Sequence, residues 1–179
     1  VEGTTYLFDN WEQDAIVHKI LKDKFLVRRV NLNLNKMTFD AKITESEDVL
    51  SFSFKGVDKV EINNRTFKNI LYNKSNRLFE VFYTDDNIKF MKGFEVKLIK
   101  ASKDPMVNRP FDKYVKTESY YLMNKKVLSK IKLKKKEIYK TLGLSNEDIS
   151  KLNTFIKSTS ISLKKEKDII KLLTYLNSI

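Results

Sequence analysis

No cysteine occurs among the 179 residues, so disulfides, a thiolate nucleophile and every zinc site built on thiolates are excluded. Histidine is nearly absent too. The single His18 cannot supply the imidazole set of a catalytic zinc, and no G-x-S-x-G elbow is present for it to serve as a base. Gly3, Gly56, Gly93 and Gly143 stand far apart, so no Gly-rich phosphate cradle can be written. With only two prolines the chain is neither a linker nor a low-complexity segment. No apolar run approaches the ~20 residues that a membrane-crossing helix requires.

What is present is the composition of a folded protein: 41% hydrophobic, 32% charged and 12% aromatic residues. The length suits one domain with a real core, or one domain with a smaller appendage. Net charge is +12, and it is unevenly placed. Residues 125–179 carry 14 Lys against 5 Asp and Glu. Such a tail suits a nucleic acid, an anionic membrane surface or an acidic protein. Of the 35 cations, 30 are lysine, whereas base reading and phosphate clamping draw on the planar fork of arginine. Nucleic acid is therefore disfavoured. The strongest basic run is Lys130, Lys132, Lys134, Lys135, Lys136 and Lys140, either an anion-binding surface or a solvated strand and helix face.

The pattern along the chain is that of an antiparallel sheet. Its spine is Arg77–Lys100, where two apolar runs flank Asp85-Asp86-Asn87 and predict a hairpin. On the second arm Ile88, Phe90, Phe94, Val96 and Leu98 share one parity, predicting one buried and one mostly wet face. Gly93 inside this arm suggests a bulge or bend. Earlier, Ala15–Ile20 turns through Lys22-Asp23-Lys24 into a single run, Phe25–Leu34. There, alternation puts Leu26, Val30, Leu32 and Leu34 inward and the asparagines outward. Met37, Phe39, Ala41 and Ile43 alternate likewise with outward Thr38, Asp40 and Lys42. An acidic turn over Glu45–Asp48 precedes Val49–Lys55, with Leu50, Phe52 and Phe54 on one face. Asn63-Asn64 joins two more strands, and Glu118–Met123 with Lys126–Ile131 closes the sheet through Asn124-Lys125. Tyr6, Leu7, Phe8 and Trp11 are too apolar to stand in water and are expected to cover an end of the sheet. His18 reads as a half-buried strand residue.

From about residue 133 the period becomes helical. Gly143 is placed to end one helix and Ser145 to cap the next, with Asp148 at N3 and Leu144 facing Ile149. Ile169, Leu172, Leu173 and Leu176 line a third helix. The expected fold is α+β: an antiparallel curved β-meander or half-barrel over residues 1–131, then three short C-terminal helices over 132–179 docked on it.

Carboxylates gather only in expected turns, at Glu45/Glu47/Asp48 and Asp85/Asp86, without calcium-loop spacing. No nucleophile–base pair, metal set or cofactor loop emerges, so the chain reads as non-enzymatic, without cofactor. A hydrolase of unknown substrate, built from acids converging in space, is a third option. The irregular stretch Ala101–Lys116 is the feature suited to recognition. It carries Met106, Val107, Phe111 and Tyr114 beside Arg109, a mixture found at interface hot spots, and Pro105 and Pro110 would stiffen it. Met106, Arg109, Phe111 and Tyr114 are the candidate partner-binding residues; the alternative is that Phe111 and Tyr114 pack the loop across an open end of the sheet.

Tyr6-Leu7-Phe8 with Trp11, Asn31-Leu32-Asn33-Leu34, Glu80-Val81, Tyr120-Tyr121-Leu122 and Asp168 with Tyr175-Leu176-Asn177 together resemble a pattern in exported proteins of unassigned function from Gram-negative bacteria. The resemblance implies a removed signal peptide and a place in the periplasm or at the outer membrane. A chain beginning at Val1 is consistent with that, or with a trimmed sequence. The leading expectation is a non-enzymatic cell-envelope protein that binds another protein of the envelope. The runner-up is a Lys-rich binder of nucleic acid or an anionic membrane surface.

Overall fold

The computed structural model describes residues 1–43, 48–104 and 106–179. Among them the chain order is β1 (Ala15–Lys19), β2 (Lys24–Val27), β3 (Val30–Asn33), β4 (Thr38–Lys42), β5 (Val49–Ser53), β6 (Val57–Ile62), β7 (Arg65–Tyr72), β8 (Ser75–Thr84), β9 (Ile88–Ile99), β10 (Lys113–Asn124), β11 (Val127–Ile131), α1 (Lys135–Leu142), α2 (Asn146–Thr159) and α3 (Glu166–Leu176). This is the expected α+β order. An eight-stranded sheet runs β11-β10-β9-β8-β7-β6-β1-β2, and a three-stranded sheet runs β3-β4-β5. The large sheet is an open antiparallel meander from β6 to β11, with the β1–β2 hairpin added against β6.

Three of its hairpins turn on two residues that both take positive φ: Asn63-Asn64, Asn73-Lys74 and Lys125-Lys126. That is the type I′ geometry whose twist matches flanking strands. The last lies one residue beyond the expected Asn124-Lys125. Asn124 is otherwise engaged, its Nδ2 donating to the carbonyls of Thr141 (3.1 Å) and Leu142 (2.9 Å), orphan acceptors at the end of α1.

The chain divides into two compact units, Val1–Glu80 with Phe94–Glu118, and Val81–Gly93 with Ser119–Ile179. The first holds both β1–β2 and the small sheet around Val17, Leu32, Phe39, Ile62, Phe67 and Phe94. The single run expected over Phe25–Leu34 is divided here. After β2 the chain turns through Arg29, at φ 53°, and β3 joins the small sheet instead. Leu26, assigned to the interior, is consequently 56% exposed on an edge strand. Ile43 and Leu50, assigned inward on the small sheet, are also exposed.

A larger correction concerns the other face of that sheet. Asn31, Asn33 and Asp40, expected in water, are buried. The N-terminal segment lies along β3 through an isolated bridge between Tyr6 and Asn33, Leu7 N–H donating to the Leu32 carbonyl (2.9 Å) and Leu34 N–H to that of Thr5 (2.9 Å). Each covered polar group receives a partner, as burial demands. Asn31 Oδ1 accepts from Phe8 N–H (3.0 Å), and Asn31 Nδ2 donates to the carbonyls of Phe8 (2.9 Å) and Asn10 (3.0 Å). Asp40 accepts from the hydroxyls of Tyr6 (2.9 Å) and Thr38 (2.6 Å) and from Asn33 Nδ2 at 3.3 Å. Desolvation, then the hydrogen bond to Asp40, pushes the Tyr6 phenol up to about 12. The expected acidic turn falls mostly on residues 44–47, outside the described residues.

In the second unit all three helices share one core with strand residues, including Phe90, Leu122, Ile138, Leu152, Leu172 and Leu173. Gly143 ends α1 at φ 63°, and Ser145 and Asp148 form the expected capping box at the start of α2. Ile169, Leu172 and Leu173 are fully buried, as their spacing requires. The rings of Phe155 and Tyr175 stack at 4.2 Å. Glu166 at the start of α3 pairs with Lys92 of β9 at 2.6 Å and accepts from the Tyr120 hydroxyl of β10 at 2.6 Å. On β9, Met91 and Gly93 occupy the parity assigned to water and are nevertheless buried, so this stretch is covered on both faces. Gly93 sits inside a continuous strand and outside the left-handed region.

Candidate functional site

The loop between β9 and β10 belongs to the first unit and is shorter than expected, because β10 begins at Lys113. Its base is clamped by Asp112. One carboxylate oxygen accepts Ala101 N–H (2.8 Å) and the other pairs with Lys100 Nζ (2.9 Å). These two interactions, the backbone bond foremost, hold the Asp112 carboxyl below the usual carboxylate range. Ser102 N–H donates to the Arg109 carbonyl (2.9 Å) and Arg109 Nη1 donates back to the Lys100 carbonyl (2.8 Å), tying both sides of the loop together. Asp104 turns the tip, its side chain accepting from Met106 N–H (2.9 Å) and its carbonyl from Val107 N–H (3.0 Å).

Every brace named here is polar. The apolar side chains point elsewhere: Met106 is 93% exposed, Phe111 60% and Val107 43%. This is the reverse of a loop that fastens itself with aromatics, where rings turn inward and polar atoms face water. Of the four expected partner-binding residues, Met106 and Phe111 stand free. Arg109 is half-buried and supports the loop rather than presenting its guanidinium. Tyr114 lies in β10, half-buried, its backbone N–H donating to the Glu2 carbonyl (2.9 Å). The expected stiffening at Pro105 lies outside the described residues; Pro110 is exposed.

A further apolar surface on this unit escaped the sequence reading. In the β1–β2 hairpin Ile20 is 66% and Leu21 85% exposed, and Phe25 and Leu26 are exposed on the edge strand β2. The available signal was two large apolar residues placed within the turn itself, where alternation gives them no inward position.

His18 is half-buried on β1, as expected, with Nε2 2.8 Å from Glu61 Oε2 on β6. Lys59 pairs with the other Glu61 oxygen, and these contacts, that with Lys59 foremost, lower the Glu61 carboxyl. Among the described residues no Ser or Thr hydroxyl bonds His18, and no three His, Asp or Glu side chains converge to hold a metal ion. No helix of the described residues is long and apolar enough to cross a membrane.

The six lysines of the basic run lie in the second unit, Lys130 on β11, Lys132 and Lys134 in the connection that follows, and Lys135, Lys136 and Lys140 on α1. All six side chains are exposed, and among the described residues none is held in an ion pair. Lys135 Nζ lies 5.6 Å from the Tyr139 ring centroid. Lys135 and Lys136 in the first turn of α1 oppose its dipole, whereas Lys140 in the last turn favours it.

No family model, curated protein or solved structure matches this chain.

Proposed function

We propose that the protein is a non-catalytic binding module of the cell envelope, and that it holds another protein through the loop spanning residues 100–112. The observation that supports this most is the braced loop with Met106 and Phe111 turned outward. Ordering a loop and its side chains is a main cost of association. Here the backbone is already fixed by Asp104, Arg109 and Asp112, leaving large apolar side chains free to be covered by a partner. Burial of one such side chain contributes roughly 1.5–3 kcal/mol. The exposed edge hairpin around Leu21 and Leu26 supplies additional apolar surface of the kind that marks interaction sites. The envelope location rests on the resemblance in sequence and is tested by fractionating the native cell.

The test of binding is a paired substitution, Met106→Ser with Phe111→Ser, assayed by photo-crosslinking from position 107 in the native cell. Partner capture should fall about 100-fold or more, since central apolar contacts each contribute roughly 2 kcal/mol, while thermal stability stays unchanged. Unaltered capture, or a loss of stability comparable with a core substitution, would remove the loop from the interface.

A further inference from the structure

The second unit contains a groove of about 650 Å³ lined by β10–β11 residues Asn124, Lys125, Val127, Ser129, Lys130 and Ile131 and by Glu137, Lys140 and Thr141 of α1. Its size lies within the range of roughly 300–1,000 Å³ usual for ligand clefts. Three properties of its walls bear on what it could hold.

The first is an open strand edge. β11 is the terminal strand of the large sheet, paired only with β10. In a hairpin closed by two residues, the flanking pair Asn124 and Val127 exchanges hydrogen bonds, and the bonded pairs then recur at every second position. Leu122↔Ser129 and Tyr120↔Ile131 are the next such pairs. Leu128 and Lys130 therefore turn their backbone N–H and C=O groups away from β10, and among the described residues no loop or turn bond reaches them. An unpaired edge of this kind is a template for one more strand.

The second is charge. Lys125, Lys130 and Lys140 line the groove, and Lys126 in the β10–β11 turn and Lys136 on α1 are exposed beside it. Among the described residues none of these five is held in an ion pair. The one carboxylate in the lining, Glu137, is engaged by the Lys132 N–H at 2.7 Å. The third is an apolar floor: Val127 is 66% exposed, beside the buried Ile131.

We infer that this groove binds an extended acidic peptide, which adds to β11 as an edge strand beneath α1 and sets carboxylates against Lys140 on the α1 side and against Lys130 on the opposite side, with Lys125 at the turn. The free edge supplies main-chain pairing and the lysines supply selection, the division of labour seen in strand addition generally. A nucleic acid or a lipid headgroup would meet the cations but offers no alternating donors and acceptors for the Leu128 and Lys130 backbone. The basic segment also contains no arginine, the side chain that best clamps phosphate. A second copy of β11 would bring lysine against lysine, a device that keeps edges apart. The site is independent of the loop that carries Met106 and Phe111.

The experiment is a fluorescence-anisotropy titration of the full chain with a labelled eight-residue peptide, Glu-Glu-Val-Val repeated, which carries carboxylates on both faces of a strand. The same peptide, N-methylated at every residue, keeps its charge but has no N–H to donate along either edge. The unmodified peptide should bind in a salt-dependent way, and the N-methylated one at least about 10-fold more weakly. Lys130→Glu with Lys140→Glu should weaken binding by about 10-fold or more, as removal of facing charges does, with the melting curve unchanged. Equal binding of both peptides would overturn strand addition and leave a diffuse electrostatic surface. A single-stranded oligonucleotide or a phosphatidylserine vesicle binding more tightly than the peptide, with the same lysine dependence, would overturn the choice of partner. Concentration-dependent dimerisation that the peptide fails to compete would assign the edge to a second copy instead.

Discussion

Tyr6→Phe isolates one hydrogen bond on the covered face of the small sheet. The phenyl ring would keep its edge contact with Trp11, whose ring centroid lies 4.8 Å away, so apolar packing is retained. What is lost is the hydroxyl 2.9 Å from Asp40 Oδ2, leaving that oxygen with Asn33 Nδ2 at 3.3 Å, while Thr38 continues to hold Oδ1 at 2.6 Å. Asp40 is only 1% exposed, so water cannot readily replace the missing donor. Hydrogen bonds to charged groups contribute about 1.5–3 kcal/mol. With a urea dependence of roughly 1–3 kcal/mol per molar, the unfolding midpoint of this unit should fall by about 1 M. Trp11 is the single tryptophan and reports locally, so its fluorescence should be followed beside far-ultraviolet circular dichroism. An early fluorescence transition would show the N-terminal segment peeling from β3 before the rest unfolds. A change below about 0.5 kcal/mol, the range of ordinary surface substitutions, would refute the reasoning and mean that Asp40 does not depend on Tyr6.

Alkali should act on the same contact and on one in the second unit. Burial, then the bond to Asp85, raises the Tyr83 phenol to about 12, as burial and Asp40 raise that of Tyr6. Both contribute stability that is complete below pH ~10 and lost as pH rises toward 12, because the unfolded chain releases these protons first; Tyr6→Phe with Tyr83→Phe should flatten that fall in a pH series of melting curves. Leu173→Ala, at a fully buried site, should cost about 2–5 kcal/mol in denaturant unfolding followed by circular dichroism, and a value under 1 would mean that α3 is loosely held. Replacing Lys134, Lys135 and Lys136 by Gln should leave the melting temperature within a few degrees, since exposed charges outside ion pairs contribute little and the exposed contact of Lys135 with the Tyr139 ring adds no more than about 1 kcal/mol; a larger drop would show that they are packed.

Local chemistry made several elements legible. Asn63-Asn64 names its own turn because asparagine tolerates positive φ, and Ser145 with Asp148 announces the start of α2 because both cap bonds lie within four residues. The second-core leucines follow from helical spacing alone. Of the loop residues, Met106 and Phe111 were readable as recognition candidates from composition. Whether they faced inward or outward was not, because that depends on Asp112, Arg109 and Asp104 bracing the backbone in their place. Arg109 itself illustrates the limit: a guanidinium beside aromatics looks like an anchor in sequence, and folding uses it to close the loop.

Alternation divides a strand into two faces but does not say how many of them are covered. In β3 and β4 it correctly separated Leu32, Phe39 and Ala41 from Asn31, Asn33 and Asp40, and the sequence by itself determined both that division and the inward place of the apolar set. Only the tertiary structure decided that the polar set is buried as well. The covering segment comes from residues 5–8, more than 20 positions away in sequence, and it can lie there because each polar group it dehydrates is given a hydrogen bond in return.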